Sequence, residues 1–140
     1  MPLNSLPVEF LYAVHLDTGK PVMIGDGPAG TKLIAPVTGG TFSGPRLKGT
    51  VVAPGGDWVT IAAAGHMLLD VRLCLITDDD AAIYCSYRGL LLRGDGGAKA
   101  YAAPLFETGD ERYAWLNRVQ AIGIGSTGAG GVDYEIYALK

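Results

Sequence analysis

Two charged side chains that stand two residues apart are the first candidates for chemistry. Asp70 and Arg72 lie within an otherwise apolar run, Leu69–Ile76, which predicts a β-strand. Alternate residues of a strand point to the same face, so the carboxylate and the guanidinium lie side by side. They form either a solvated ion pair on the outer wall of a sheet or the polar lining of a barrel.

An aspartate cluster joins this strand to a second apolar run and predicts a long β-hairpin over residues 69–89. If Asp79-Asp80 forms a two-residue turn, Cys74 faces Cys85. One face of the hairpin then carries Asp70, Arg72, Cys74, Cys85 and Tyr87, and the other carries Val71, Leu73, Leu75, Tyr84, Ser86 and Arg88. The sequence leaves open which face points inward.

A polar set that includes these residues could perform acid–base chemistry if the hairpin lines a barrel. A carboxyl group inside a small barrel loses solvation and its pKa rises, which makes it a usable acid or base near neutral pH. The predicted catalytic residues are Asp70 as the acid or base, Arg72 as the stabiliser of an enolate or carboxylate, and Tyr84 or Glu107 as the partner. The predicted ligand-binding residues are Trp58, Arg88, Trp115 and Asn117.

The same residues also have a purely structural interpretation. Asp70 and Arg72 would pair on the outer wall of the sheet. A short helix would pack over the barrel end, and the backbone groups there would form hydrogen bonds with Glu107, Tyr113 and Asn117. Trp58 and Trp115 would then be core or plug residues rather than surfaces that bind a ligand.

Two glycine-rich segments look like nucleotide-binding motifs but lack the required context. Residues 25–32 end in a transposed threonine and lysine and precede a strand-like run, which a phosphate loop does not. Residues 123–128 fit the dinucleotide fingerprint, but the helix and the acidic residue that must follow are missing. The two histidines have no paired spacing and Cys74 and Cys85 form no Cys-x-x-Cys motif, so we expect neither a metal nor a cofactor.

About nine short strands between glycine- and proline-rich turns indicate an all-β fold. Pro36 and Gly39-Gly40 interrupt the strand Leu33–Phe42 and suggest an edge position or a bulge, whereas Gly55-Gly56 is expected to form a tight turn. One short helix is expected near residues 110–117, with Asp110 as its N-cap. Consecutive hairpins with tight loops favour a single antiparallel up-and-down barrel.

Composition limits the partners and the location. The 140 residues, 49% hydrophobic and 18% charged, predict one domain, 1–140, with an apolar surface patch and hence a homo-oligomer such as a dimer. The net charge of -3 and the pI near 5.2 argue against nucleic acid or an anionic membrane as a partner. No apolar run approaches the roughly 20 residues of a membrane span and no signal peptide is visible, so we expect a cytoplasmic protein.

Several short motifs occur in a fixed order from about Pro36 onward: Gly39–Gly49, Gly55–Trp58, Leu69–Arg72, Thr77–Asp79, Ile83-Tyr84, Arg88-Gly89 and Phe106–Asn117. Together they resemble the domain-of-unknown-function family numbered 3237, small-barrel proteins of bacteria and fungi. The resemblance implies a lipocalin-like (calycin-like) antiparallel barrel and implies no established activity. Asp80 departs from the family pattern, because glycine usually follows Thr-Asp-Asp and supplies the positive φ of a type I′ turn.

These observations support two classes of function. The first is a cofactor-independent enzyme that applies acid–base chemistry to a small apolar or aromatic carbonyl compound, as an isomerase, cyclase, hydratase or ring-opening hydrolase. The alternative is a carrier or sensor barrel that binds a small apolar ligand without changing it, and a third is a filled barrel that acts only through protein contacts. An interior that holds Asp70 and a strongly shifted acid favours the enzyme, whereas Asp70 and Arg72 on the outer wall favour a carrier or scaffold.

Overall fold

The computed structural model of the chain describes residues 1–128 and 130–140. The sequence predicts a closing hairpin with a glycine loop between residues 125 and 132, and Ala129, within that predicted loop, lies outside the described residues. The elements are β1 (Val8–Thr18), β2 (Val22–Gly27), β3 (Gly30–Ser43), β4 (Lys48–Ile61), β5 (Met67–Thr77), β6 (Ala82–Gly94), β7 (Gly97–Ala102), β8 (Leu105–Glu107), a 3-10 helix (Glu111–Arg118), β9 (Ala121–Gly128) and β10 (Gly131–Leu139).

Eight of the strands close into an antiparallel barrel in the order β1-β3-β4-β5-β6-β7-β9-β10. The barrel closes because β1 pairs with β10 on one side and with β3 on the other. Two short strands lie outside this cycle: β2 pairs with β3, and β8 pairs with β6 beyond the end of β7. The all-β, up-and-down barrel with one short helix is thus confirmed, and the two additional strands bring the number of described strands to ten.

The short helix closes one end of the barrel. Asp110 is its N-cap, as predicted, and its carboxylate accepts a hydrogen bond of 2.9 Å from the backbone N–H of Arg112. Leu116 projects from the helix into the interior and is fully buried, which contributes about 1.5–3 kcal/mol. Beneath it, the ring of Tyr12 packs edge-to-face against Phe42 and Phe106, with centroids 5.6 and 6.2 Å apart. This end of the interior is therefore filled with apolar side chains.

The register of the β5–β6 hairpin differs by one residue from the predicted one. Cys74 lies opposite Tyr84 rather than Cys85, and Asp70 lies opposite Arg88. The turn contains three residues, 78–80, because the backbone N–H of Thr77 donates to the carbonyl of Ala81 at 2.9 Å. A slip of one residue exchanges the two faces of β6, so Tyr84, Ser86 and Arg88 share the outer face with Asp70 and Arg72. The side chains that point inward from β6 include Cys85 and Tyr87.

The predicted tight turn at Gly55-Gly56 is also wrong. These glycines lie inside β4, which continues without a turn from Lys48 to Ile61. A register irregularity against β5 falls between Val52 and Gly56, so the extra residues form a bulge in the strand. A second irregularity lies in the pairing of β3 with β1, where Val37–Gly39 stands opposite Asp17-Thr18, and it confirms the bulge expected in β3.

Candidate functional site

Four of the predicted site residues come together, but they do so on the outside of the barrel. The lining of a shallow cleft of about 320 Å³ includes Asp70, Arg72, Tyr84 and Arg88. Inward positions of β5 are taken instead by Leu69, Val71, Leu73 and Leu75, all of which are buried. Of the two positions that the sequence left open for Asp70 and Arg72, the structure shows the outer wall, and any chemistry they perform would take place in the outer cleft.

The remaining predicted residues are spread over the outer surface and the helix. Glu107 is exposed opposite Tyr84, and Trp58 is 42% exposed on the outer wall, 5.7 Å from the guanidinium carbon of Arg72. Asn117 accepts a hydrogen bond from the backbone N–H of Thr108 at 2.8 Å and donates one to its carbonyl at 3.1 Å. This is the structural role that the sequence offered as the alternative.

Trp115 lies on the helix and is half-buried against the barrel core. The guanidinium carbon of Arg46 lies 3.7 Å from the centroid of its indole, which is close enough for a cation–π interaction. The indole is thus held at the closed end of the barrel and does not line the outer cleft.

The interior contains a separate small cavity of about 70 Å³. Its lining consists of Leu16, Thr18, Ala35, Val37, Asp57, Val71, Tyr87, Val132 and Tyr134. Because β1 runs from Tyr12 at the helix end toward Leu16 and Thr18, this cavity lies in the half of the barrel away from the helix. It combines apolar walls with one carboxyl group and two phenols, the composition typical of a small-molecule site.

Asp57 provides the carboxyl group of this cavity. Its position in β4, two residues beyond the bulge and opposite the buried Val71, directs its side chain inward. The pKa of Asp57 is raised to about 6, chiefly by burial and to a smaller extent by the nearby charge of Asp70, against a hydrogen bond that stabilises the carboxylate. That bond comes from the backbone N–H of Asp70, at 3.0 Å. A carboxyl group with this pKa can both donate and accept a proton near neutral pH.

Tyr87 and Tyr134 lie next to each other in the lining of the same cavity. Their rings pack edge-to-face with centroids 5.6 Å apart. Burial raises the pKa of Tyr134 to about 12 and that of Tyr87 well above its usual value, with Asp57 adding to both shifts. Both phenols therefore stay protonated at neutral pH and can donate hydrogen bonds to a ligand oxygen.

The sequence interpretation missed all three cavity residues, although signals for them were present. Asp57 belongs to the motif Gly55–Trp58 but was assigned to a strand that follows a turn. Tyr87 was predicted on the same face of the hairpin as Arg72, because the predicted register differs from the observed one by one residue. Tyr134 alternates with Val132 and Ile136 in the last strand, a pattern that predicts one shared, inward face.

The described residues contain no group of three or more His, Cys, Asp or Glu side chains that could hold a metal ion. They also contain no helix long and apolar enough to cross a membrane.

The fold and the cavity define a small closed β-barrel with an interior acid at one end. The chain belongs to the family described as "Protein of unknown function (DUF3237)", whose model matches residues 6–139. The resemblance seen in the short motifs is thereby confirmed.

Comparison with known proteins adds one relative with a named activity. The chain is 33% identical over 116 residues to the hydroalkoxylation enzyme phnH of Penicillium herquei, a match that covers 83% of this chain and 72% of that protein. A crystal structure of an enzyme from Penicillium herquei superposes with a TM-score of 0.82 at 27% identity, covering 100% of this chain and 98% of that one. A crystal structure of a beta-barrel like protein from Acinetobacter baumannii AYE superposes with a TM-score of 0.90 at 29% identity, covering 99% and 100%.

Proposed function

We propose that the chain is a cofactor-independent barrel enzyme that performs acid–base chemistry on a small apolar or aromatic carbonyl compound, with Asp57 as the proton donor. The observation that carries the proposal is a carboxyl group with a pKa of about 6 in an apolar interior cavity, beside two protonated phenols. Strongly shifted acids in a cleft are concentrated at functional sites. Similarity to a hydroalkoxylation enzyme supports a cyclase among the four reaction classes that the sequence left open.

The proposed reaction is the intramolecular addition of a hydroxyl group across a carbon–carbon double bond. Protonated Asp57 transfers its proton to one alkene carbon, and the substrate hydroxyl oxygen forms a C–O bond to the other. The hydroxyl proton then passes to the Asp57 carboxylate, which restores the acid. The product is an isomer of the substrate, so the reaction consumes no oxidant and releases no leaving group.

The neighbouring groups have distinct tasks in this mechanism. The backbone N–H of Asp70 holds one carboxyl oxygen of Asp57 in place. Tyr87 and Tyr134 donate hydrogen bonds to the substrate carbonyl, which polarises a conjugated double bond toward attack. The cavity of about 70 Å³ is far below the range of roughly 300–1,000 Å³ for pockets that enclose drug-sized ligands, so we expect a one-ring substrate that extends past the rim at Thr18 and Val132.

The test is a panel of one-ring 2-hydroxyphenyl alkenyl ketones, in which the carbonyl is conjugated with the alkene and the phenol can add to it. Each reaction, with and without the protein, is followed by chromatography for an isomer of unchanged mass. We expect one or more to cyclise, and Asp57→Asn to lower kcat/KM by about 10²–10⁴, because it removes the acid. Asp95→Asn, which changes an exposed acid in the β6–β7 turn, is the matched control and should retain activity.

The pH dependence distinguishes an acid from a base. If protonated Asp57 is the proton donor, kcat/KM falls as the pH rises through about 6. A rate that instead rises through this pH would contradict the donor role. Binding of a panel compound without turnover, in both the wild-type protein and Asp57→Asn, would favour the carrier.

A further inference from the structure

The outer wall of the barrel carries an unusually apolar surface. We define the outer apolar patch as Trp58, Leu68, Leu90, Tyr101, Leu105 and Ile124, each of which is 37–52% exposed. Four of them form one line across β5, β6, β7 and β9, since Leu68 pairs with Leu90, Leu90 with Tyr101, and Tyr101 with Ile124. A continuous apolar face on a soluble sheet marks a surface that associates.

Three charged residues on this wall form no ion pair with the residues that the structure describes. Asp70 and Arg88 are cross-strand neighbours, and Arg72 follows two residues after Asp70 on β5. In the described part of the chain, none of the three takes part in an ion pair. Tryptophan, tyrosine and arginine are the residue types enriched at the energetic centres of protein interfaces. The wall therefore has the composition of an interface with opposite charges at its centre.

We propose that the outer apolar patch binds a second copy of this chain across a two-fold axis that runs between β5 and β6, parallel to the strands. In such an isologous interface both copies use the same surface. If one residue of the first copy contacts a second residue of the other copy, the same contact occurs again with the two copies exchanged. The axis places Asp70 of one copy over Arg88 of the second copy, and Leu68 over Leu90, because each pair is already side by side in one chain. One operation thus brings Asp70 opposite Arg88 and Leu68 opposite Leu90.

This self-complementarity is the reason to expect a second copy of the chain, rather than another protein, on the outer apolar patch. A surface with Asp70 beside Arg88 carries both signs, so it matches itself better than it matches a uniformly charged partner. The proposal gives Asp70, Arg72, Arg88 and Trp58 a role in assembly, which is independent of the interior acid and of the proposed activity.

Sedimentation velocity over a range of protein concentrations tests this assembly. We expect the wild-type chain to dimerise and Leu90→Lys to weaken dimerisation by roughly 100-fold, since the substitution enters the interface twice. Met23→Lys is the matched control, because Met23 is 61% exposed on β2 and lies off the patch. Thermal unfolding of each variant verifies that it is folded. A wild-type monomer at all concentrations, or dissociation by Met23→Lys but not by Leu90→Lys, would overturn the proposal.

Charge exchange tests the position of the axis. Asp70→Arg and Arg88→Asp should each weaken the homodimer, because like charges then meet across the axis. An equimolar mixture of the two variants should restore dimerisation, since every arginine again meets an aspartate. A mixture that remains monomeric would overturn the two-fold arrangement.

Discussion

The inner and outer faces of the barrel wall carry two carboxylates in opposite surroundings. Asp57, on the strand next to the β5–β6 hairpin, points into the interior beside Tyr87 and has a pKa of about 6 because it is buried. Asp70 lies on the outer wall, in a cleft between two arginines. The two acids are joined by one hydrogen bond, from the backbone N–H of Asp70 to the side chain of Asp57.

This difference shows that the placement of an acid, rather than its charged neighbours, prepares it for proton transfer. An arginine beside a solvated carboxylate contributes little, because water already stabilises both charges. Desolvation by a barrel wall disfavours the charged carboxylate and brings its pKa toward neutrality. The outer cleft is accordingly better suited to recognition, and the interior cavity to proton transfer.

The largest expected effect separates the two acids directly. In the cyclisation assay, Asp57→Asn should reduce kcat/KM by at least about 100-fold more than Asp70→Asn, because only the first removes the proton donor. Asparagine can still accept the hydrogen bond at position 57, so the fold should persist. The reverse order would move the chemistry to the outer cleft and restore Asp70 as the catalytic residue predicted from the sequence.

The two faces should also differ in their contribution to the free energy of unfolding. Leu75→Ala removes a fully buried side chain and should cost about 2–5 kcal/mol, whereas Leu92→Ala, at an exposed position of β6, should cost less than about 0.5 kcal/mol. Urea unfolding of both variants provides the measurement. Equal losses would mean that the interior is not the main source of stability.

A third effect concerns the pH dependence of stability. Since the pKa of Asp57 is raised from 3.8 to about 6 in the folded state, ionising it destabilises the fold as the pH rises between these values. Asp57→Asn should therefore stabilise the protein by about 1–3 kcal/mol at pH 7.5 and by almost nothing below pH 4. Urea unfolding at both pH values checks this, and Asp95→Asn, in an exposed turn, should change stability by less than about 0.5 kcal/mol at either. A gain that is independent of pH would contradict the burial of an ionised carboxylate.

The smallest effect lies in the turn that sets the register of the two faces. Asp80 has a φ of 73°, in the left-handed region that glycine adopts more readily. Asp80→Gly should stabilise the protein by about 0.5–1 kcal/mol, as measured by thermal unfolding, and Asp78→Gly, which has no such backbone strain to relieve, should not. A loss of stability with Asp80→Gly would mean that its side chain contributes more than its backbone costs.

The barrel could be predicted from sequence because local signals agreed with the fold. Alternating apolar residues in β5 and β6, the glycine-rich turns and the N-cap Asp110 each specify structure within a few residues. The interior site could not be predicted, since it depends on two details of register. The first is the length of the turn between β5 and β6, because a turn of two residues and a turn of three point Tyr87 to opposite faces. The second is the pairing of β4 with β3 and β5, which makes Gly55-Gly56 part of a strand rather than a turn.

The pairing of β1 with β10 has a kinetic consequence. It joins Val8 to Leu139, the most distant strand residues in the chain, and contacts of such long range slow folding, typically to milliseconds or seconds in β-barrels. The barrel interior excludes water only after β1 has paired with β10. The pKa of Asp57 therefore rises when the barrel closes. When the protein refolds near pH 5, between the two pKa values, it should take up about one proton from the buffer at that step. A pH-indicator dye would therefore follow the closing of the barrel in real time.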